Sequence, residues 1–177
     1  MKRIGAIVLC CLAGLLWPGP AAADWDPGTA AKWVQLPDLQ NTGIDVNASP
    51  YPEDYILADD FECTETGLIT GIHVWGSWYH DYLPFQEDAE SVMFTLSIHA
   101  DIPASQNPDG YSKPGEVLWY REFLPGTFTA RPYAEDLMEG WMDAPEQYEF
   151  PGDTVCWQYN FQIPAEDAFL QTGDPDE

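Results

Sequence analysis

Apolar and polar side chains alternate with a period of two along several stretches of this chain. Val155, Trp157, Tyr159, Phe161 and Ile163 fall on one face, and Cys156, Gln158, Asn160 and Gln162 fall on the other. Val92, Phe94, Leu96 and Ile98 alternate in the same way with Met93, Thr95, Ser97 and His99. Successive strand residues point to opposite sides of a sheet, so this period predicts half-buried β-strands. Further strands are expected at 55–62, 68–79, 116–124 and 127–133, with a short first one at 33–36. Turn chemistry separates them: Asn107-Pro108-Asp109-Gly110, Pro114-Gly115, Pro125-Gly126 and Pro151-Gly152. Helical spacing is scarce, and only 134–139 and 165–170 read as a turn or two of helix. Strands with one polar face, joined by turns, must cover their apolar faces with one another. The fold class expected is therefore all-β, a single antiparallel β-sandwich of jelly-roll type over residues 24–177.

The first 23 residues do not belong to that pattern. Lys2 and Arg3 precede a mostly apolar run from Ile4 to Trp17, and Ala21-Ala22-Ala23 supplies small residues before Asp24. This is the layout of a secretory signal peptide cleaved after Ala23. The run is shorter than the roughly 20 apolar residues that span a bilayer. The expectation is an exported protein, secreted or at the cell surface or periplasm, with no membrane insertion after the leader is removed. Cys10 and Cys11 leave with the leader, and Cys63 and Cys156 remain. Two cysteines in an oxidising compartment pair most simply with each other, and two buried free thiols are the alternative. A Cys63–Cys156 bridge would close a loop of roughly 90 residues, worth about 4–5 kcal/mol in the chain-entropy model.

Charge narrows the choice of partners. Thirty acidic residues against six basic ones give a net charge of −24, and the acids are spread along the whole chain. Nucleic acid and anionic membranes are recognised by basic patches, so neither is expected as a partner. A solvated acidic coat, calcium or a basic partner fits the balance better.

Several residues are candidates for chemistry. Asp59 and Asp60 are adjacent, and in a regular strand they diverge rather than form a dyad. Asp60 is then expected to meet water, while Asp59, on the apolar side, accepts backbone or side-chain hydrogen bonds at the sheet edge or binds a cation. The stretch 99–110 carries Asp101, Asn107 and Asp109, oxygen donors of the kind that cup calcium, although an ordinary hydrophilic hairpin loop has the same composition. His73, His80 and His99 lack a tight ligand spacing, and His73 and His99 are expected to face solvent. Hydrolase signatures such as GxSxG and HExxH do not occur. Catalytic, cofactor and metal residues are accordingly assigned to none. The aromatic excess is more suggestive, with eight Trp, nine Tyr and eight Phe. Trp75 and Tyr79 would stand on one face of the 68–79 strand about 13 Å apart at about 3.3 Å per residue. Flat rings at that spacing are candidates for stacking on sugars.

The blocks KWVQLPDLQNTGIDVNA (32–48), ILADDFEC (56–63), GLITGIHVWGSW (67–78), FTLSIHADIP (94–103), KPGEVLWYREFLPGTF (113–128) and GDTVCWQYNF (152–161) together resemble an uncharacterised domain family of exported bacterial proteins. The resemblance implies a β-sandwich module in a multi-part surface protein, often accompanied by a PEP-CTERM-type sorting signal or a dockerin-like module. It carries no assigned activity. Members of that family run on into further tryptophan-containing strands, so the resemblance leaves two readings open, a domain that ends here and a C-terminally truncated fragment. The function expected is an exported, non-enzymatic β-sandwich module with a structural or adhesive role. The alternative is a carbohydrate-binding module that meets polysaccharide through Trp75 and Tyr79, with structural calcium.

Overall fold

In a computed structural model of the protein, the described residues are 24–49, 55–62, 64–143 and 147–173. Residues 1–23, with the expected signal peptide, and Cys63 lie outside them. Among the described residues there are ten strands: β1 (Ile44–Val46), β2 (Gly67–Ile69), β3 (Gly71–Ser77), β4 (Phe94–Ile102), β5 (Lys113–Phe123), β6 (Thr129–Ala134), β7 (Glu139–Asp143), β8 (Gln147–Asp153), β9 (Cys156–Gln162) and β10 (Phe169–Gln171). Two single-turn 3-10 segments, Tyr79–Asp81 and Phe85–Glu87, are the only helical pieces among these residues. The protein is all-β, as the alternation predicts.

The alternating segments find partners and become the two layers of the sandwich. β9 lies between β3 and β6 in one antiparallel sheet, and β4 pairs with β5 in another. Tyr159, Phe161 and Ile163 pack with Phe123, Phe128 and Ala89 as the fully buried core, flanked by Ile72, Val74, Phe94, Leu96 and Trp119. Phe123 and Phe161 meet edge-on with centroids 4.8 Å apart, and Phe94 touches Phe128 and Phe161 at 5.3 Å each. Edge-on rings align the positive rim of one with the negative face of the next, adding about 0.5–1.5 kcal/mol per pair beyond burial.

The other face of β9 departs from expectation. Gln158 and Asn160 were to be the wet side, yet both are 0% exposed. The segment Asp24–Asp26 lies across them. Gln158 Nε2 donates to the Trp25 carbonyl at 2.8 Å, and Asn160 Nδ2 donates to Asp24 Oδ1 at 3.0 Å. Arg131, which pairs with Gln158 across the sheet, reaches Gln158 Oε1, the Trp25 carbonyl and Asp26 Oδ1 at 2.9, 2.9 and 2.7 Å. Polar residues are tolerated at zero exposure because each donor and acceptor is matched. His73 belongs to the same network rather than to solvent: Asn160 Oδ1 lies 2.7 Å from its Nδ1. His99 is likewise half-buried, between the Gly115 carbonyl at 3.1 Å and the Ser97 hydroxyl at 3.0 Å.

Other expectations are corrected by the elements that form. Residues 33–36 and 55–62 belong to no strand, and residues 56–62 are exposed. The 68–79 run breaks at Thr70 into β2 and β3, and β3 ends at Ser77. Neither expected helix forms: 134–139 is a loop that enters β7, and 165–170 is a turn that enters β10. A third sheet, in the order β1-β7-β8, was not expected at all. Its strands escape the alternation because β1 is three residues long and parallel to β7, while β8 carries Pro151-Gly152 next to its end. Among the described residues no helix is long and apolar enough to cross a membrane.

Candidate functional site

Two neighbouring features stand out where β3 ends and the chain turns. The first is the loop at 78–87. Four non-glycine residues in it, His80, Asp81, Gln86 and Glu87, have φ between 53° and 62°. Left-handed backbone at such residues costs on the order of 1–3 kcal/mol each and persists only when surrounding contacts hold it. Asp81 supplies the hold: its carboxylate accepts the backbone N–H of Thr154 at 3.0 Å, that of Val155 at 3.1 Å, and the Thr154 hydroxyl at 2.7 Å. With its backbone fixed, the loop turns aromatic rings outward. Tyr82 is 75% and Phe85 74% exposed. The Tyr79 ring stacks on His80 at 4.0 Å and leans on Trp141 of β7 at 5.4 Å. Glu149 of β8 accepts from both the Tyr79 hydroxyl at 2.5 Å and His80 Nε2 at 2.7 Å. The Tyr79 hydrogen bond, then that from His80, hold the Glu149 carboxyl below its ordinary range.

Trp75 and Tyr79 do not share a surface. Because β3 stops at Ser77, Tyr79 belongs to the turn, while Trp75 stays on the sheet. There its ring is wedged between Trp25 at 5.7 Å and Tyr133 at 5.6 Å, both edge-on. Tyr79 therefore keeps company with His80, Tyr82 and Trp141 instead.

The second feature lies beneath the loop and is acidic. Asp45 from β1, Glu139 from β7 and Asp153 from the end of β8 bring carboxylate oxygens within 4.8 Å of one another. The pairing of the third sheet explains the convergence. Glu139 is opposite Asp153 across β7 and β8, and parallel β1 sets Asp45 beside Trp141, with a register shift between Glu139 and Trp141. Gly43 allows the close approach, since a Cβ there would lie 2.7 Å from Glu139 Oε1. Glu139 and Asp153 are 3% and 2% exposed. No lysine or arginine among the described residues pairs with any of the three.

Burial, then the charges of Asp45 and Asp38, push the Glu139 carboxyl up to about 7. Burial, then Asp45 and Glu139 with a contribution from Asp81, push Asp153 up to about 8. Asp45 is raised by burial too. Cys156, across β3 from Ser77, is a buried free thiol among the described residues and is pushed up to about 12, first by burial and then by these same carboxylates. Since Cys63 lies outside the described residues, the expected bridge has only one of its ends on view. Carboxylates so close without a basic partner need protons or a cation between them.

The remaining candidates are placed elsewhere. Asp59 is exposed and its Oδ1 accepts the N–H of Asp60 at 3.0 Å, while Asp60 Oδ2 accepts from the Ser112 hydroxyl at 3.0 Å. Asp59 is not on an apolar side, because the segment is not a strand. Asp60 and Asp101 meet at the wall of an open groove with Trp33, Phe61 and Glu62. In the 99–110 stretch, Asn107 is spent on the turn itself, donating to the Tyr111 carbonyl and accepting from the Asp109 N–H, and Asp109 pairs with Lys113. Sequence reasoning missed Asp45, Glu139 and Asp153, which are far apart in the chain and belong to no motif. Only the unusual burial of acids in strands would have flagged them.

Comparison with known proteins gives one result that bears on all this. No curated protein and no solved structure matches the chain significantly. The family model described as domain of unknown function DUF7901 matches residues 31–175, which include β1 to β10, the aromatic loop and all three carboxylates. The chain belongs to the DUF7901 family.

Proposed function

We propose that the protein is an exported, non-enzymatic β-sandwich module with a structural or adhesive role in the cell envelope or outside the cell, and that it meets its partner through the loop at 78–87. The observation that carries this reading is the exposure of Tyr82 and Phe85 on a loop that Asp81 fastens to the turn between β8 and β9. Apolar rings held out in water on a pinned loop lose little entropy when a partner covers them, which is how rigid contact surfaces gain affinity. The signal-like leader and the acidic coat support an extracytoplasmic setting.

A second reading has its own support. The Tyr79–His80 stack next to Glu149 offers a flat ring beside a carboxylate acceptor. Sugars present the complementary pair, an apolar C–H face and hydroxyl donors. Binding of the purified protein to a glycan array and to insoluble polysaccharides, with Tyr79→Ala, Tyr82→Ala and Phe85→Ala alongside, separates the two. Carbohydrate binding lost in Tyr79→Ala would establish the sugar-binding reading. Retention on cell envelopes lost in Tyr82→Ala and Phe85→Ala, with a silent array, would establish a protein or other surface partner. Accumulation of the native protein in the cytoplasm would remove both readings.

A further inference from the structure

We propose that the pocket formed by β1, β7 and β8 is a binding site for one hard divalent cation, calcium, held by the carboxylates of Asp45, Glu139 and Asp153. This goes beyond the adhesive reading and does not depend on it.

The argument begins with Asp153. Elsewhere the fold satisfies its carboxylates: Asp81 accepts three hydrogen bonds, and Asp38 accepts from the Gln40 N–H at 3.0 Å and the Thr42 hydroxyl at 2.8 Å. Asp153 is 2% exposed, and apart from a proton shared with Asp45 neither of its oxygens has a hydrogen-bond donor among the described residues. A buried carboxylate left this way is among the most costly groups a fold can contain. Its oxygens are directed at two further carboxylates. Ser77 adds a second sign of the same kind. Its hydroxyl is buried beside Asp45 and lacks a well-aligned partner among the described residues. A cation between them would satisfy every one of these groups at once.

The spacing selects the ion. Calcium takes oxygen ligands at about 2.3–2.6 Å, so two ligands of one ion lie no more than about 5 Å apart. The three carboxylates fall within 4.8 Å of one another and match that span. The donors are all hard oxygens, with the Cys156 sulfur outside the group, which disfavours zinc and softer metals. Magnesium keeps several of its waters and demands octahedral geometry. A pocket in which two carboxylates are 2% and 3% exposed suits the ion that sheds its water more readily. Because β1 touches β7 through only three residues, one ion held by all three strands would also tie that short parallel strand to its sheet.

The test uses the full chain, stripped with EGTA and titrated calorimetrically with calcium chloride and, separately, magnesium chloride. Thermal melts and terbium luminescence excited through tryptophan accompany it, since Trp141 is paired with Asp45. The expected result is one saturable calcium per chain and weaker magnesium. At calcium near a hundred times its dissociation constant, the melting temperature should rise by roughly 5–10 °C. Asp153→Asn and Glu139→Gln should each weaken calcium by about 100-fold or more, since loss of even an outer partner of a metal ligand costs 10–100-fold. Asp59→Asn, on the exposed coat, should bind as the wild type does. Removing a charge from a crowded carboxylate group favours folding, and a circular dichroism melt in EGTA confirms that each variant is folded. Three results would overturn the proposal: no saturable calcium or terbium signal in the wild type, calcium binding unchanged in both Asp153→Asn and Glu139→Gln, or magnesium binding as tight as calcium.

Discussion

The aromatic core and the acidic pocket are buried to the same degree and by opposite means. Phe123 and Phe161 are 2% and 0% exposed, and Asp153 and Glu139 are 2% and 3%. In the core, every ring removed from water gains other rings at 4.8–5.3 Å. In the pocket, every carboxylate removed from water gains other carboxylates. The first arrangement is favourable as it stands, through apolar burial worth about 25 cal/mol per Å². The second is favourable only once something positive is added. Depth in a fold therefore says nothing about whether a site is finished, and the chemistry of its neighbours does.

The largest effect is expected from breaking the finished side. Phe161→Ala should cost about 3–5 kcal/mol in urea unfolding, because it opens a cavity that the three neighbouring rings of Phe94, Phe123 and Phe128 cannot all collapse into. The opposite face of the same strand tests whether a satisfied polar layer behaves like a core. Asn160→Ala leaves His73 and Asp24 without their partner and should cost about 1–3 kcal/mol by the same measurement. A change below that range would show that water enters and replaces the amide.

On the unfinished side, pH is the lever. In EGTA, Asp153 titrates at about 8 and Glu139 at about 7 in the folded chain, above their ordinary values of 3.8 and 4.5. The folded state thus holds protons that the unfolded state has released. That contribution to stability is fully present below the unfolded values and is lost as pH rises through the folded ones. The groups facing the pair are Asp45 on β1, Asp38 before it, Asp81 from the loop and the Cys156 thiol, none of them basic. The melting temperature in EGTA should therefore fall between pH 5 and pH 8, and Asp153→Asn should flatten the slope. A melting temperature that climbs over this range would mean the pocket already contains a compensating charge. The smallest effect belongs to the loop: Tyr82→Ala should shift stability by less than about 0.5 kcal/mol, since the ring is 75% exposed. Any greater loss would make the ring a structural support rather than a contact surface.

Much of the core was legible in the chain, because β9 and β4 announce themselves by strict alternation and find antiparallel partners of the same kind. The segment 55–62 shows where that signal fails. Its composition is strand-like, but strand character needs a neighbour's hydrogen bonds, and Asp59 takes its own chain's N–H instead. Alternation also identified the two faces of β9 but not their surroundings. Gln158 and Asn160 look like solvent residues until a distant segment supplies matching donors and acceptors. The pocket was the least legible part. It depends on a bulge between Glu139 and Trp141, on a parallel three-residue strand and on a glycine at 43, and none of these leaves a periodic trace. The thiol at 156 was expected in a bridge with Cys63. Intact mass under non-reducing conditions decides it, since a bridge removes two hydrogens.

The clasp formed by Asp24 and Trp25 has a consequence for how the molecule comes into being. These residues close onto Asn160 and Gln158 across separations of 136 and 133 positions. During synthesis the Asp24 carboxylate and the Trp25 carbonyl must wait, unclaimed, until β9 has left the ribosome. Long-range closure of this kind is slow. A polypeptide in which Asp24 and Trp25 must meet Asn160 and Gln158 before it can lock stays pliable until β9 has been made.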